Sequence, residues 1–229
     1  MLVLTLLATP GYGAPIPSPK GAVVFLGSWR VPGWKPILVA NTDGILNSAY
    51  MDALQNAGYG VGRGRVDFQQ ALRENEFPPG STITDDQVEA TLKQAIGNLL
   101  PASDGNRLYV VFLPPDVTFT ATAQGQQFSS AVNLTGWNDE FVLGNALVHY
   151  VVVPFPGGTN VSANGRGDHD AQTEALSHEI GESVTEKQNA DHTMSFHVRM
   201  SNGIAVQEFG QLNDPSQPIP IPGATPLPF

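Results

Sequence analysis

Three stretches of this sequence are nearly unbroken runs of apolar, β-branched and aromatic residues: GAVVFLGSW at 21–29, RLYVVFL at 107–113 and ALVHYVVVPF at 146–155. Each is bounded by glycine, proline or polar residues and is too short for a long helix. A strand with apolar side chains on both faces must be covered on both faces. These runs therefore predict a sheet core with layers on either side. The expected fold class is α/β, a mixed central sheet flanked by helices in a single domain, with an α+β variant as the alternative.

The covering layers are legible between the runs. SAYMDALQNAG places Tyr50, Leu54 and Ala57 at helical spacing and stops at Gly58, a residue that tolerates a left-handed cap. TDDQVEATLKQAIGNLL opens with Thr84 and Gln87 in capping-box spacing and then sets Val88, Leu92, Ile96 and Leu99 on one face. A third helix is expected over 170–186, with Asp168 or Asp170 as N-cap and Leu176, Ile180 and Val184 as its buried stripe. The polar span from Phe119 to Asn145 reads as loops with one short hairpin at most.

The two ends differ from this body. Residues 1–19, MLVLTLLATPGYGAPIPSP, pass from a short apolar run through small residues into proline, as a secretory signal does. No Lys or Arg precedes the run, and Pro15 directly follows Ala14, so an N-terminal flexible segment or strand is the other reading. Residues 214–229 carry proline at nearly every second position and read as an extended tail. The domain is thus expected over 20–213, secreted, with no segment of the length needed to span a bilayer.

Charge and composition narrow the chemistry. Twenty-one acidic against eleven basic residues give a net charge of −10, which repels nucleic acid and anionic lipid. The chain has no cysteine, so disulfides, thiolate metal sites and thiol nucleophiles are excluded. Any metal must be held by nitrogen and oxygen.

Such ligands occur together in EALSHEIGES, residues 174–183. At 3.6 residues per turn, His178 and Glu182 lie one turn apart on one face, and Glu179 is rotated by about 100° from His178. In the HExxH pattern, two side chains so placed hold zinc while the intervening glutamate takes a proton from the water that the ion activates. Here Glu182 stands in the place of the second histidine. A carboxylate is a legitimate zinc ligand, and a more anionic set also admits manganese or calcium. The same residues have a simpler reading: Glu174, His178, Glu182 and Glu186 form an i, i+4 polar stripe, as on any solvated helix face.

VVFLGSW, NSAYMDALQNAGYGVGRGRV, TDDQVEATLKQAI, LYVVFLPPDVTFT and ALSHEIGESVTE occur in that order. Together they resemble the Exordium-like, or phosphate-induced, secreted proteins and their microbial relatives over residues 21–211. The most specific segments are YGVGRG, LYVVFLPP and SHEIGESVTE. The helix agrees with that family at His178, Glu179, Glu182 and Thr185 and departs at Glu186 and Lys187, where the family tends to have Asp or Asn followed by Pro. In the later segment VQEFGQLND, Glu208 matches an acid of the family, while Gln211 stands where a second is expected.

The resemblance implies a zincin-like domain in a secreted protein. Zinc would be held by His178, Glu182 and Glu208, with Glu179 as general base and a peptide or protein as substrate; manganese and calcium rank behind zinc. By chain reach alone His192, His197, Asp191 and His169 compete with Glu208 as third ligand. The competing function class is a non-catalytic cell-surface or cell-wall protein that keeps the helix as scaffold and binds a partner.

Other stretches carry less. GYGVGRGRV follows a helix end instead of joining a strand to a helix, so it is read as a cap and turn and not as a dinucleotide fingerprint. Asn133 and Asn160 begin glycosylation sequons, and Arg166-Gly167-Asp168 is a chance tripeptide before a helix. His149, inside the most apolar run, is expected to be a hydrogen-bonded structural histidine.

Overall fold

The computed structural model describes residues 16–56, 59–123, 125–162, 168–185, 199–201 and 204–206. Residues 1–15 of the signal-like start and the proline-rich tail lie outside the described residues. In chain order the elements are β1 (Lys20–Leu26), α1 (Trp34–Leu46), α2 (Ala49–Asn56), β2 (Arg65–Leu72), β3 (Thr82–Thr84), α3 (Asp85–Ala95), β4 (Arg107–Phe112), β5 (Thr118–Ala123), β6 (Gln126–Ser129), β7 (Trp137–Leu143), β8 (Ala146–Val153), α4 (Asp168–Thr185), β9 (Arg199–Ser201) and β10 (Ile204–Val206).

The three apolar runs form neighbouring strands. The five-stranded sheet has the order β2-β1-β4-β8-β7, and β1, β2, β4 and β8 are parallel. Only β7 runs antiparallel, paired with β8 at the edge. Alternation along the central strands sorts their side chains into two cores. Val23, Phe25, Leu108, Val110, Phe112, Val151 and Val153 pack with α1, α2 and α4. Val24, Leu26, Tyr109, Val111, Tyr150 and Val152 pack with α3 and with the small sheet β3-β5-β6. The protein is thus a single mixed α/β domain, its sheet covered on both faces as doubly buried strands require.

Local signals set the helix ends. Thr84 and Gln87 form the reciprocal capping box that starts α3, and Val88 and Leu92 are buried beneath it. The helix stops at Ala95, earlier than the apolar spacing predicts, so Leu99 is left exposed. α4 begins at Asp168, so Asp168 and Asp170 are its first and third residues and neither is the expected N-cap. Leu176, Ile180 and Val184 are fully buried.

Two parts of the chain depart from the sequence reading. The span 119–145 holds the antiparallel β5–β6 pair, which is the one short hairpin the sequence allowed, and beyond it β7, where loop was expected. In β5, Phe119 and Ala121 are buried between exposed or half-buried threonines, a period-two pattern hidden by its polar half. α1 also lies where no element was expected. The glycines of GYGVGRG do serve a turn: Gly60 has φ +73°, and Gly64 lies so close to the Pro19 carbonyl that a Cβ would overlap it.

Candidate metal centre

α4 is not a solvated helix. It packs against β7 and β8 on one side of the sheet, and Ala175 to Ser177 and Glu179 to Val184 are all buried. The polar stripe expected to face water is therefore turned inward at Glu182. Glu179 and Glu182 are each only 5% exposed, whereas the His178 side chain is 30% exposed.

The three groups converge. His178, Glu179 and Glu182 each offer a ligand atom within 4.8 Å of the other two. Nε2 of His178 lies 3.2 Å from Oε1 of Glu182. Asn138, on β7, donates both hydrogens of its amide across to the helix: Nδ2 is 3.1 Å from Oε2 of Glu179 and 2.6 Å from Oε2 of Glu182. The opposite amide orientation would set Oδ1 against two carboxylates, so the network fixes the donors inward.

Gly136 completes the arrangement. A Cβ at this position would overlap the Glu179 carboxylate, so only glycine lets the strand approach so closely. Neither Gly136 nor Asn138 was singled out in the sequence. The usable signal was the polar, alternating WNDEFVL segment, whose α4-facing positions are Asn138 and Glu140 where an ordinary buried face would be apolar.

The cluster opens into a cleft of about 700 Å³ between α4, β7 and the β5–β6 hairpin. Among the described residues its lining carries the carboxylates of Asp139, Glu140, Glu179 and Glu182, and no Lys or Arg. His149 lines it too, with Nδ1 3.3 Å from Oε2 of Glu140. Burial pushes the imidazole down to about 4 and keeps it neutral at physiological pH. On the opposite face of the same strand pair, burial raises Asp85 to about 7 against the opposing pull of its hydrogen bond from Tyr150, and the tyrosine hydroxyl is raised in turn.

The other sequence candidates fall elsewhere. Glu208, Asp191, His192 and His197 lie outside the described residues. His169 is in the first turn of α4, nine residues before His178, so about 13.5 Å of helical rise separates the two. Arg166 and Gly167 are outside the described residues. Asn160 is 6% exposed and spends its amide hydrogens on the Val117 and Phe155 carbonyls, so in the folded protein that sequon is closed to a glycan. Asn133 is exposed.

No described helix is long and apolar enough to cross a membrane. Comparison with family models, with curated proteins and with solved structures finds no match.

Proposed function

We propose that this protein is a secreted metal-dependent peptidase whose ion is held from α4 by His178 and Glu182. One observation carries the reading: an imidazole nitrogen and a buried carboxylate oxygen stand 3.2 Å apart in an anionic cleft. Two ligands roughly 2.0–2.1 Å from a tetrahedral ion are about 3.3 Å apart, so the observed spacing suits zinc. Asn138 meets each carboxylate with a neutral donor, which does not cancel their negative charge.

The third ligand is proposed to be Glu208, on the resemblance to the Exordium-like proteins. β9 lies against α4 and is paired with β10, which ends at Val206, two residues before Glu208. When bound, the ion supplies Lewis acidity to a carbonyl oxygen and to water. Glu179, held by Asn138 and crowded by Gly136, is the base that takes a proton from that water. A peptide substrate suits the site because β7 is an edge strand lining the cleft, and an edge offers backbone donors and acceptors to an extended chain.

The test is metal titration of the purified chain followed by incubation with a broad peptide library. The expected result is about one tightly held zinc per chain and zinc-dependent cleavage. A chain that holds zinc and cleaves nothing is the non-catalytic surface protein, and one that holds no metal refutes the site.

A further inference from the structure

We infer that Asn138 sets the metal preference of this site by restricting Glu182 to one ligating oxygen. The inference rests on the metal-centre reading above and deepens it. Glu182 has two carboxylate oxygens, and the structure gives them different neighbours: Oε2 takes the Asn138 amide at 2.6 Å, while Oε1 faces Nε2 of His178 at 3.2 Å. With Oε2 held by a hydrogen bond, the carboxylate presents Oε1 alone to an ion shared with the imidazole.

That distinction decides between classes of cation. Four-coordinate zinc is satisfied by one oxygen from each carboxylate. Calcium needs six to eight oxygens and commonly takes both from a glutamate. A cluster of buried carboxylates would otherwise suit a hard, high-coordination cation well. The neutral amide works against this without cancelling charge, whereas a lysine or arginine in its place would repel any cation.

Asn138 is well placed for the task. Its backbone is paired with Val151 in the β7–β8 ladder, so its amide comes from the sheet and does not follow the helix that carries the ligands. The second hydrogen goes to Glu179, which ties the base to the same anchor. Asn138 is therefore a positioning residue acting through Glu182 and Glu179, with no contact to the ion required.

The test compares zinc and calcium dissociation constants, by competition with a chromophoric chelator, in the full wild-type chain and in Asn138→Leu. Loss of an outer hydrogen bond to a ligand typically weakens metal binding 10–100-fold. Zinc binding should weaken by that order while calcium binding holds or strengthens, so the zinc-to-calcium preference falls at least tenfold. Asn138→Ser, which keeps one donor, should shift the preference in the same direction by less, and it carries the test if the leucine variant does not fold. If zinc and calcium weaken equally, or the preference is unchanged, Asn138 is merely structural and the inference fails while the metal centre stands. A wild-type chain that binds neither ion overturns both.

Discussion

Nε2 of His178 and Oε1 of Glu182 face each other at 3.2 Å across one turn of α4, on a helix buried against the edge of the sheet. The histidine is partly open to the cleft and the glutamate is almost closed off, so the pair joins a solvent-reachable imidazole to an inward-held carboxylate. His178→Ala and Glu182→Gln remove a proposed ligand outright and should each lower zinc affinity by more than the roughly 10–100-fold that loss of an outer hydrogen-bond partner costs, read by chelator competition. Glu179→Gln keeps the fold and the ion but should lower turnover by about 10²–10⁴-fold, the usual contribution of a general base. Equal loss of metal in all three variants would make Glu179 a ligand and not the base.

Gly136 is the point where strand meets site. Gly136→Ala places a methyl group on the Glu179 carboxylate, so either the strand or the side chain must move. The expected cost is about 1–3 kcal/mol, as for other overpacked positions, measured by urea denaturation of the metal-free chain. An unchanged midpoint would mean that Glu179 leaves the strand freely.

Asp85 gives the fold a pH dependence of known sign. Its carboxyl is raised from 3.8 to about 7 by burial, so the folded protein holds a proton that the unfolded chain releases. This contribution is complete below pH 3.8 and is lost as pH rises through about 7. Asp85→Asn keeps an acceptor for the Tyr150 hydroxyl and removes the ionisation. It should stabilise the protein by about 1–2 kcal/mol at pH 8, discounted for the partial exposure of the group, and by little at pH 4. Denaturation midpoints at the two pH values check it.

Arg107 enters the sheet from the start of β4 as a buried charge and forms a two-pronged pair with Asp67 of β2, with Nη2 to Oδ2 at 3.1 Å. It also donates to the Lys20 carbonyl at 3.3 Å, so it reaches across β1. Asp67→Ala strands the guanidinium and should cost about 2–4 kcal/mol in chemical denaturation, below the upper end for a fully buried pair because Asp67 is partly exposed. A loss of this size that does not shrink in high salt would show that the pair is shielded from solvent ions.

The helical register was legible in the sequence because it is local: residues four apart on a helix share a face wherever the helix lies, so His178 and Glu182 could be matched without the rest of the chain. The three apolar runs declared the central strands for a similar reason, since doubly covered strands need apolar side chains in succession. The capping box at Thr84 was equally local. β7 was not legible, because a strand that forms a cleft wall carries Asn138 and Glu140 where a core strand would carry apolar residues.

By itself, then, the sequence determined the sheet core, the helix that bears His178 and Glu182 and the absence of any thiol chemistry. Whether Glu182 faces bulk water or the wall of a cleft depended on Asn138, 44 residues earlier in the chain, and on the approach of the strand at Gly136. Periodicity describes which side chains share a face. Only the packing of β7 against α4 decides what that face meets, because the contact joins two elements whose patterns carry no information about each other.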